Sequence, residues 1–294
     1  MPGAEAVSDD APRDEALVDR PAEDDIRLWS VTTIIDQSSN KDALINWAAK
    51  ETAKAAVNGM RSLQAIIADD GPDAAIDWLK GSRFRAGQGQ RTAKELGTAI
   101  HRACETYALT GVKPTVDAEI APFLDRFDEW VQSFQPDYKA AEMTVYSPTY
   151  GYAGTLDAVL HVGGQRVVAD YKTSRDDVDD RGKPKGPWPD VALQLAAYRH
   201  AEFAAAWRVR RFEQYRRRYY LLGDNERADA VEIPDVDGGL CLYITPQRCE
   251  AHFVRCDAEV FEAFLDAVDR SRWALGTLSR SVLGPAISPP VTVR

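Results

Sequence analysis

Two aspartates and one lysine lie on a predicted hairpin whose geometry would bring them together. The hairpin is the segment GTLDAVLHVGGQRVVADYKTS, and the pair Gly163-Gly164 predicts a two-residue turn in its middle. A turn there places Asp157 directly opposite Asp170. Lys172 lies two residues further on and shares their face, because side chains alternate along a strand. Two carboxylates beside a lysine could hold a hard metal ion and support attack on a phosphodiester.

The opposite face of this hairpin is almost wholly apolar, so we expect it to pack against the core. Its residues are Leu156, Ala158, Leu160, Val162, Val167, Ala169 and Tyr171. On the polar face, like charges placed directly opposite each other destabilise a sheet by roughly 0.2–1 kcal/mol. The sequence therefore predicts a compensating cation near the two aspartates, and a divalent metal is the obvious one.

The order of several motifs resembles a known family of nucleases. The pattern G-T-L-D, twelve residues, D-Y-K resembles the catalytic signature of the PD-(D/E)XK nuclease superfamily. The segment GTAIH, which ends at His101, and the segment QLAAY, from Gln194 to Tyr198, resemble motifs of its RecB-like exonuclease branch, which includes CRISPR-associated and phage-encoded members. Glu142 stands where that branch often has an acidic residue, on the strand before the hairpin. The motifs span about a third of the chain, from 101 to 198.

This resemblance implies a fold, a cofactor and a role for each motif residue. The implied fold class is α/β, with a restriction-endonuclease-like mixed central sheet flanked by helices. The implied cofactor is Mg²⁺ or Mn²⁺. Its implied ligands are the side chains of His101, Glu142, Asp157 and Asp170 and the main-chain carbonyl of Tyr171. Lys172 is expected to position and activate the attacking water, with Gln194 and Tyr198 supporting the site.

The predicted function is metal-dependent DNA cleavage, with exonuclease action in recombination, repair or phage DNA replication. Linear DNA, single- or double-stranded, is the implied partner, and a recombination or single-strand-binding protein is a further one. Two alternatives stay open, namely a structure-specific endonuclease of the same superfamily and a noncatalytic DNA-binding or assembly factor. The intact set of Asp157, Asp170 and Lys172 argues against the last, because a binding module does not need all three.

A second D-Y-K string tests the choice of site. Asp137, Tyr138 and Lys139 repeat these letters, and Pro136 before them even supplies the letters P-D. The string follows a helical pattern, no apolar strand leads into it, and no nearby turn places an acid opposite it. We interpret it as a loop that enters a strand over 140–147.

Hydrophobic spacing predicts the elements that must position these residues. Helices are expected over 92–109, 117–134, from 189 through 198, and over 257–275. The first carries His101 beside a buried stripe of Leu96, Ile100, Ala103 and Tyr107. The third places Gln194 and Tyr198 on one face, because they are four residues apart. A closing hairpin is expected over 240–254.

Basic residues near the last motif are the expected DNA contacts. They are Arg208, Arg210, Arg211, Arg216, Arg217 and Arg218, together with Lys183 and Lys185 in a charged loop that also holds Trp188. The formal net charge of −10 does not exclude DNA, because binding depends on how many phosphates are neutralised locally. The alternatives are a solvated face for the arginines and disorder for the loop.

The composition is that of an ordinary globular protein. The chain has 294 residues, 45% of them hydrophobic, and no apolar stretch of about 18 residues, so we expect a cytoplasmic protein without a membrane segment. Residues 1–25 hold nine acids and two arginines, a formal −7, and are expected to be a disordered acidic tail. The nuclease domain is predicted over 26–282, with a second tail over 283–294.

Four cysteines raise the question of an iron–sulfur cluster, which some RecB-like nucleases carry. Cys104 falls inside the helix of His101, and no C-x-x-C pair occurs among Cys241, Cys249 and Cys256. This spacing makes a cluster unlikely, and we predict buried free thiols.

Overall fold

The computed structural model describes residues 26–38, 42–82, 91–179, 181–205, 211–214, 217–222 and 230–275, with 279 and 282. The tails predicted over 1–25 and 283–294 lie outside these residues. Within them, no helix is long and apolar enough to cross a membrane.

Eight helices and ten strands make up the described part of the chain. The helices are α1 (Val31–Ser38), α2 (Asp42–Asn58), α3 (Met60–Asp70), α4 (Pro72–Ser82), α5 (Ala93–Thr110), α6 (Ala121–Phe134), α7 (Val191–Arg199) and α8 (Ala258–Leu275). The strands are β1 (Ile26–Ser30), β2 (Asp137–Ser147), β3 (Tyr152–Val162), β4 (Gln165–Thr173), β5 (Phe203–Ala205), β6 (Arg211–Gln214), β7 (Arg217–Leu222), β8 (Ala230–Val231), β9 (Gly238–Ile244) and β10 (Cys249–Val254).

All ten strands belong to one mixed sheet, which confirms the predicted α/β class. Its main path runs β10-β9-β4-β3-β1-β7-β6, and β2, β5 and β8 extend it from β3. The pairs β1–β3 and β4–β9 are parallel, whereas the other pairs are antiparallel. The closing hairpin predicted over 240–254 corresponds to β9 and β10.

The central strand β3 shares one of its edges between two neighbours. Near its start, Tyr152 and Ala153 pair with β1, and near its end, residues 158–162 pair with β4. Residues 154–157 lie between these two pairings and have no partner on that edge within the described residues. The sheet is therefore split at this point, between the carboxyl ends of β1 and β4.

The predicted hairpin between β3 and β4 is confirmed. Gly163 and Gly164 form its turn with φ values of 59° and 80°, a region that favours glycine. Val162 pairs with Gln165 and Leu160 with Val167, in the predicted register. The pairing ends at Ala158 and Ala169, one position before Asp157 and Asp170, so the predicted pair of directly opposed aspartates does not form in the ladder.

The two larger hydrophobic cores lie on the two faces of the sheet. One packs β-strand side chains against α1, α7 and α8, and the other packs them against α5 and α6. Six of the seven apolar hairpin residues lie in the α5 and α6 core, as predicted, but Leu156 lies in the opposite core. The prediction for Leu156 was wrong because the alternation of β3 breaks at Asp157. The β2 residue that lies opposite Asp157 is Glu142. The register of β2 with β3 skips it, and its φ is 50°.

The second D-Y-K string is part of strand β2, so the predicted loop over Asp137 to Lys139 was wrong. Asp137 pairs with His161 and Tyr138 with Leu160, and the register shifts before Ala140. This end of β2 lies beside the turn of the hairpin, whereas Asp157 and Asp170 lie at the other end of the β3–β4 pairing. The two D-Y-K strings are therefore separated along the sheet.

The helix predicted over 92–109 is confirmed as α5. Thr92 accepts the N–H of Glu95, and the Glu95 side chain accepts the N–H of Thr92, which together form a capping box. The helix predicted from Asp117 begins instead at Ala121. The carboxylate of Asp117 accepts the N–H groups of Glu119 and Ile120, which holds a turn before the helix.

Candidate active site

A cleft of about 620 Å³ opens where the sheet splits between β1 and β4. Asp157, Asp170 and Lys172 of β3 and β4 line it. Helix α5 contributes residues from one face of the sheet, and α1 and α7 contribute residues from the other. A split sheet lets helices of both faces reach the same point, so the cleft collects side chains from distant parts of the chain.

Asp157 is held by one contact to α5 and one to the backbone of β4. Its Oδ1 lies 3.1 Å from Nδ1 of His101, and its Oδ2 accepts the backbone N–H of Tyr171 at 2.6 Å. The second bond occupies a backbone donor just beyond the point where the β3–β4 ladder ends. His101 and Asp157, two of the implied metal ligands, are therefore in direct contact.

Asp170 belongs to a buried hydrogen-bond network centred on Gln194. The amide nitrogen of Gln194 donates to Asp170 Oδ1 at 2.6 Å and to the Tyr198 hydroxyl at 3.0 Å. The amide oxygen of Gln194 accepts from Lys172 Nζ at 2.9 Å. Lys172 Nζ also lies 2.6 Å from Asp170 Oδ2. The structure thus joins two residues of the hairpin, Asp170 and Lys172, to the two residues of the Q-x-x-x-Y motif.

The charges of this site compensate each other through the chain's own cations. Burial raises the pKa of Asp170 to about 6, although the charge of Lys172 opposes this rise. For Lys172, burial lowers the pKa, but the charge of Asp170 and its hydrogen bonding outweigh burial, so the pKa is raised. The same balance raises the pKa of His101, where burial is outweighed by Asp157. Among the described residues, the Lys172 ammonium therefore lies beside Asp170, and the His101 imidazole lies beside Asp157.

Two glycines of the sequence motifs permit close packing around the cleft. A Cβ atom at Gly154 would stand 2.5 Å from Cε1 of Tyr198 and 3.2 Å from a methyl group of Val31. A Cβ at Gly97 would stand 3.3 Å from Oγ1 of Thr173, at the end of β4. Gly154 therefore lets α7 approach β3, and Gly97 lets α5 approach β4.

Glu142 lines the cleft in a backbone conformation that side-chain-bearing residues seldom adopt. Its φ of 50° places it in the left-handed region, which costs on the order of 1–3 kcal/mol. Such strain persists where the surrounding structure fixes it, and it clusters at functional sites. The position of Glu142 at the cleft is therefore consistent with the role that the resemblance implies.

Three hydroxyl groups of the cleft were missed by the sequence analysis. Thr155 Oγ1 lies 3.4 Å from Thr144 Oγ1 and 3.2 Å from the Tyr220 hydroxyl. Tyr220 belongs to β7, which reaches the cleft only through its pairing with β1. No local sequence pattern marks Tyr220, because its contact with Thr155 spans 65 residues.

The residues of the site fit a divalent ion by donor type. Asp170 is buried, and its Oδ2 lies 2.6 Å from the Lys172 ammonium. Carboxylates and imidazole are suitable ligands for Mg²⁺ or Mn²⁺. In the described ranges, however, no three His, Cys, Asp or Glu side chains are already arranged as a metal-binding group. The site therefore offers donor atoms of the types that a divalent ion binds. His101 and Lys172 lie in contact with the two carboxylates.

The predicted arginine cluster is described only in part. Arg208, Arg210 and Arg216 lie outside the described residues. The backbone of Arg211, Arg217 and Arg218 lies in the hairpin of β6 and β7, where Arg211 pairs with Tyr220. Because Tyr220 lines the cleft, this hairpin borders the candidate site.

The charged loop after β4 is folded around Arg248. The guanidinium of Arg248 contacts the Asp177 carboxylate at 2.7 Å and the Lys185 carbonyl at 2.6 Å. Val178 and Pro184 form a β-bridge within the loop. Lys183 and Lys185 are not among the described residues that line the cleft, and Lys185 pairs with Asp176. The structure therefore does not bring these two lysines to the aspartates.

The four cysteines are free thiols on separate elements. Cys104 lies in α5, Cys241 in β9, Cys249 in β10, and Cys256 just before α8. Cys104, Cys241 and Cys256 are buried, as predicted, whereas Cys249 is half-buried.

No family model matches the sequence, and neither does any curated protein. Solved structures do match, and one of them is the crystal structure of SSO0001. It covers 62% of this chain and 73% of its own, with a TM-score of 0.27 and 16% sequence identity. A likeness of this size carries no weight for fold or function, so the α/β class rests on the sheet and helices themselves.

Replacing Gly154 by alanine is expected to destabilise the protein and to displace Tyr198. The added methyl would meet the Tyr198 ring at 2.5 Å, and overpacking of this kind typically costs about 1–3 kcal/mol. Denaturant unfolding measures the loss. Gly186→Ala is the matched control, because nothing lies within 4 Å of a Cβ at Gly186. Equal stability of the two variants would contradict the packing of Tyr198 against Gly154.

Proposed function

We propose that this chain is a metal-dependent deoxyribonuclease of the PD-(D/E)XK superfamily, from its RecB-like branch and with its restriction-endonuclease-like core. The observation that carries the proposal is the meeting of Asp157, Asp170 and Lys172 with Gln194 in one cleft at the split of the sheet. The reaction is hydrolysis of phosphodiester bonds in DNA. The proposed mode is exonucleolytic, in recombination, repair or phage DNA replication.

A divalent ion, Mg²⁺ or Mn²⁺, would supply a Lewis acid that activates water and stabilises charge on the phosphate. The residues that would hold it are Asp157, Asp170, His101, Glu142 and the carbonyl of Tyr171. The chemistry of the donor set supports this assignment, because carboxylate oxygens and an imidazole nitrogen are suitable ligands for these ions.

Lys172 is the proposed residue for positioning the attacking water. Its raised pKa keeps the ammonium protonated, so it acts as a hydrogen-bond donor and a positive charge. A preorganised cation at the site stabilises negative charge as that charge develops on the phosphate and the nucleophile.

Gln194 is proposed to hold Lys172 and Asp170 at a fixed separation. Its amide offers a donor and an acceptor, and both are used, the donor by Asp170 and the acceptor by Lys172. The hydroxyl of Tyr198 accepts a hydrogen bond from the Gln194 amide nitrogen and so helps to fix the orientation of that amide. Burial raises the pKa of Tyr198 well above its usual range, so its hydroxyl stays protonated. The pair thus gives the Q-x-x-x-Y motif a positioning role.

The path proposed for the DNA follows the hairpin of β6 and β7, which carries Arg211, Arg217 and Arg218. The register pairs Arg211 with Tyr220 at the border of the cleft. A recombination or single-strand-binding protein is the proposed further partner.

Linear DNA should be cleaved in the presence of Mg²⁺ or Mn²⁺ and left intact in the presence of EDTA, because the carboxylates need the ion to approach a phosphate. End-labelled linear DNA and circular single-stranded DNA are incubated side by side and separated on gels. Release of labelled mononucleotides or short products from the linear substrate alone indicates an exonuclease. Cutting of the circle indicates the structure-specific endonuclease, and full activity in EDTA would falsify the metal mechanism.

Lys172→Ala should abolish cleavage and retain DNA binding, because the change removes a charge from the site and leaves the surrounding surface in place. Single-turnover cleavage and gel-shift titration measure the two properties. The chain supplies a matched control in Lys139→Ala, which changes the second D-Y-K string at an exposed end of β2. Normal turnover by the Lys172 variant at saturating DNA, or loss of turnover by the Lys139 variant, would contradict the assignment.

Mn²⁺ should raise the melting temperature of the wild type more than that of Asp157→Asn. A ligand that binds only the folded state stabilises it by mass action, and the variant lacks one carboxylate ligand. Without metal the two proteins should melt at similar temperatures, because the amide oxygen of asparagine still accepts the Tyr171 N–H. Thermal melting across a Mn²⁺ titration measures both effects. Equal Mn²⁺-induced shifts would show that Asp157 does not hold an ion.

A further inference from the structure

A row of polar residues on α5 forms one wall of the cleft beside the aspartates. Lys94, Thr98 and Arg102 all line the cleft and are exposed. They follow one another at intervals of four residues, so they lie in one row along the helix, with neighbours about 6 Å apart. Their side chains offer a cation, a hydroxyl donor and a second cation in that order.

The buried side of α5 fixes the direction in which this row faces. Leu96, Ile100 and Cys104 are buried against the sheet, with exposed fractions of 3%, 0% and 0%. The capping box at Thr92 fixes the start of the helix. Rotation of α5 would bring the polar row into the core, so the row keeps its place at the cleft.

Arg102 has a charge that no described acidic side chain neutralises by an ion pair. Glu105 lies three residues further along α5 and lines the same cleft, yet the two form no ion pair. By contrast, Arg126 on the neighbouring helix α6 pairs with Glu129 at 2.7 Å. Arg102 therefore keeps its donors for a ligand that enters the cleft.

The floor of the cleft needs such cations if its substrate is an anion. Four carboxyl groups line the cleft, those of Glu105, Glu142, Asp157 and Asp170, and these repel a phosphate. A row of donors along one wall offsets that repulsion, and its straight course matches a chain of successive phosphates. Single small anions would need only one of the three positions.

We propose that Lys94, Thr98 and Arg102 bind successive phosphates of the strand that is cut and so guide its backbone into the cleft. This inference rests on the proposed function and assigns the substrate-binding wall of that same site. The residues are distinct from the arginines of the β6–β7 hairpin. The recognised group is the phosphodiester backbone, so binding is independent of base sequence.

The test measures how salt weakens binding of a fluorescent single-stranded oligothymidylate in EDTA, where no cleavage complicates the titration. Lys94→Gln and Arg102→Gln should each lower the slope of log affinity against log salt by about 0.7, because each removes one phosphate contact on a single strand. The double variant should lower the slope by about twice as much. With metal, Arg102→Gln should raise KM and leave kcat unchanged.

Arg126→Gln is the control, because it removes a half-buried arginine of α6 that does not line the cleft. All variants should melt close to the wild type, since Lys94 and Arg102 are exposed and a surface ion pair such as Arg126–Glu129 contributes little to stability. Salt slopes of the Lys94 and Arg102 variants equal to the control's overturn the proposal and leave the nuclease function standing. Reduced slopes in a protein that cuts no DNA support phosphate binding by this row but refute the nuclease function and, with it, the role in guiding a cut strand. A wild type that binds no DNA overturns both.

Discussion

The candidate site depends on the way in which β3 divides one edge between β1 and β4. A strand whose neighbour changes part-way leaves backbone groups that the sheet itself cannot pair. The Tyr171 N–H meets this need by donating to the Asp157 side chain rather than to a backbone carbonyl. The gap between the two neighbours also admits helices from both faces of the sheet. The divided edge of β3 thus creates the cleft and orients the Asp157 carboxylate.

The electrostatics of the cleft follow from burial. Asp170 is 3% exposed, and a lone carboxylate there would be strongly disfavoured. Lys172 and Gln194 make its charge tolerable, and the choice of an amide matters. A glutamate at position 194 would place a second negative charge against Asp170, whereas glutamine donates to it and still accepts from Lys172. The network is complete only when all three side chains are present, so we expect their contributions to be non-additive.

The parts of the structure that the sequence predicts are those determined by local rules. Gly163-Gly164 sets the turn, and the turn sets the register that brings Asp157 near Asp170. The break at Asp157 that moves Leu156 to the opposite core depends on how β2 pairs, which no short pattern encodes. The same holds for Tyr220, whose place at the cleft depends on pairing between β1 and β7.

The motifs of β3 and α7 act as one packed unit rather than as two separate signatures. Because Gly154 has no side chain, the Tyr198 ring can lie against β3. The ring's hydroxyl then holds the amide of Gln194, one helical turn earlier. That amide in turn fixes both Lys172 and Asp170. A missing methyl group on a central strand therefore determines, through two hydrogen-bonded side chains, where the lysine of the site stands.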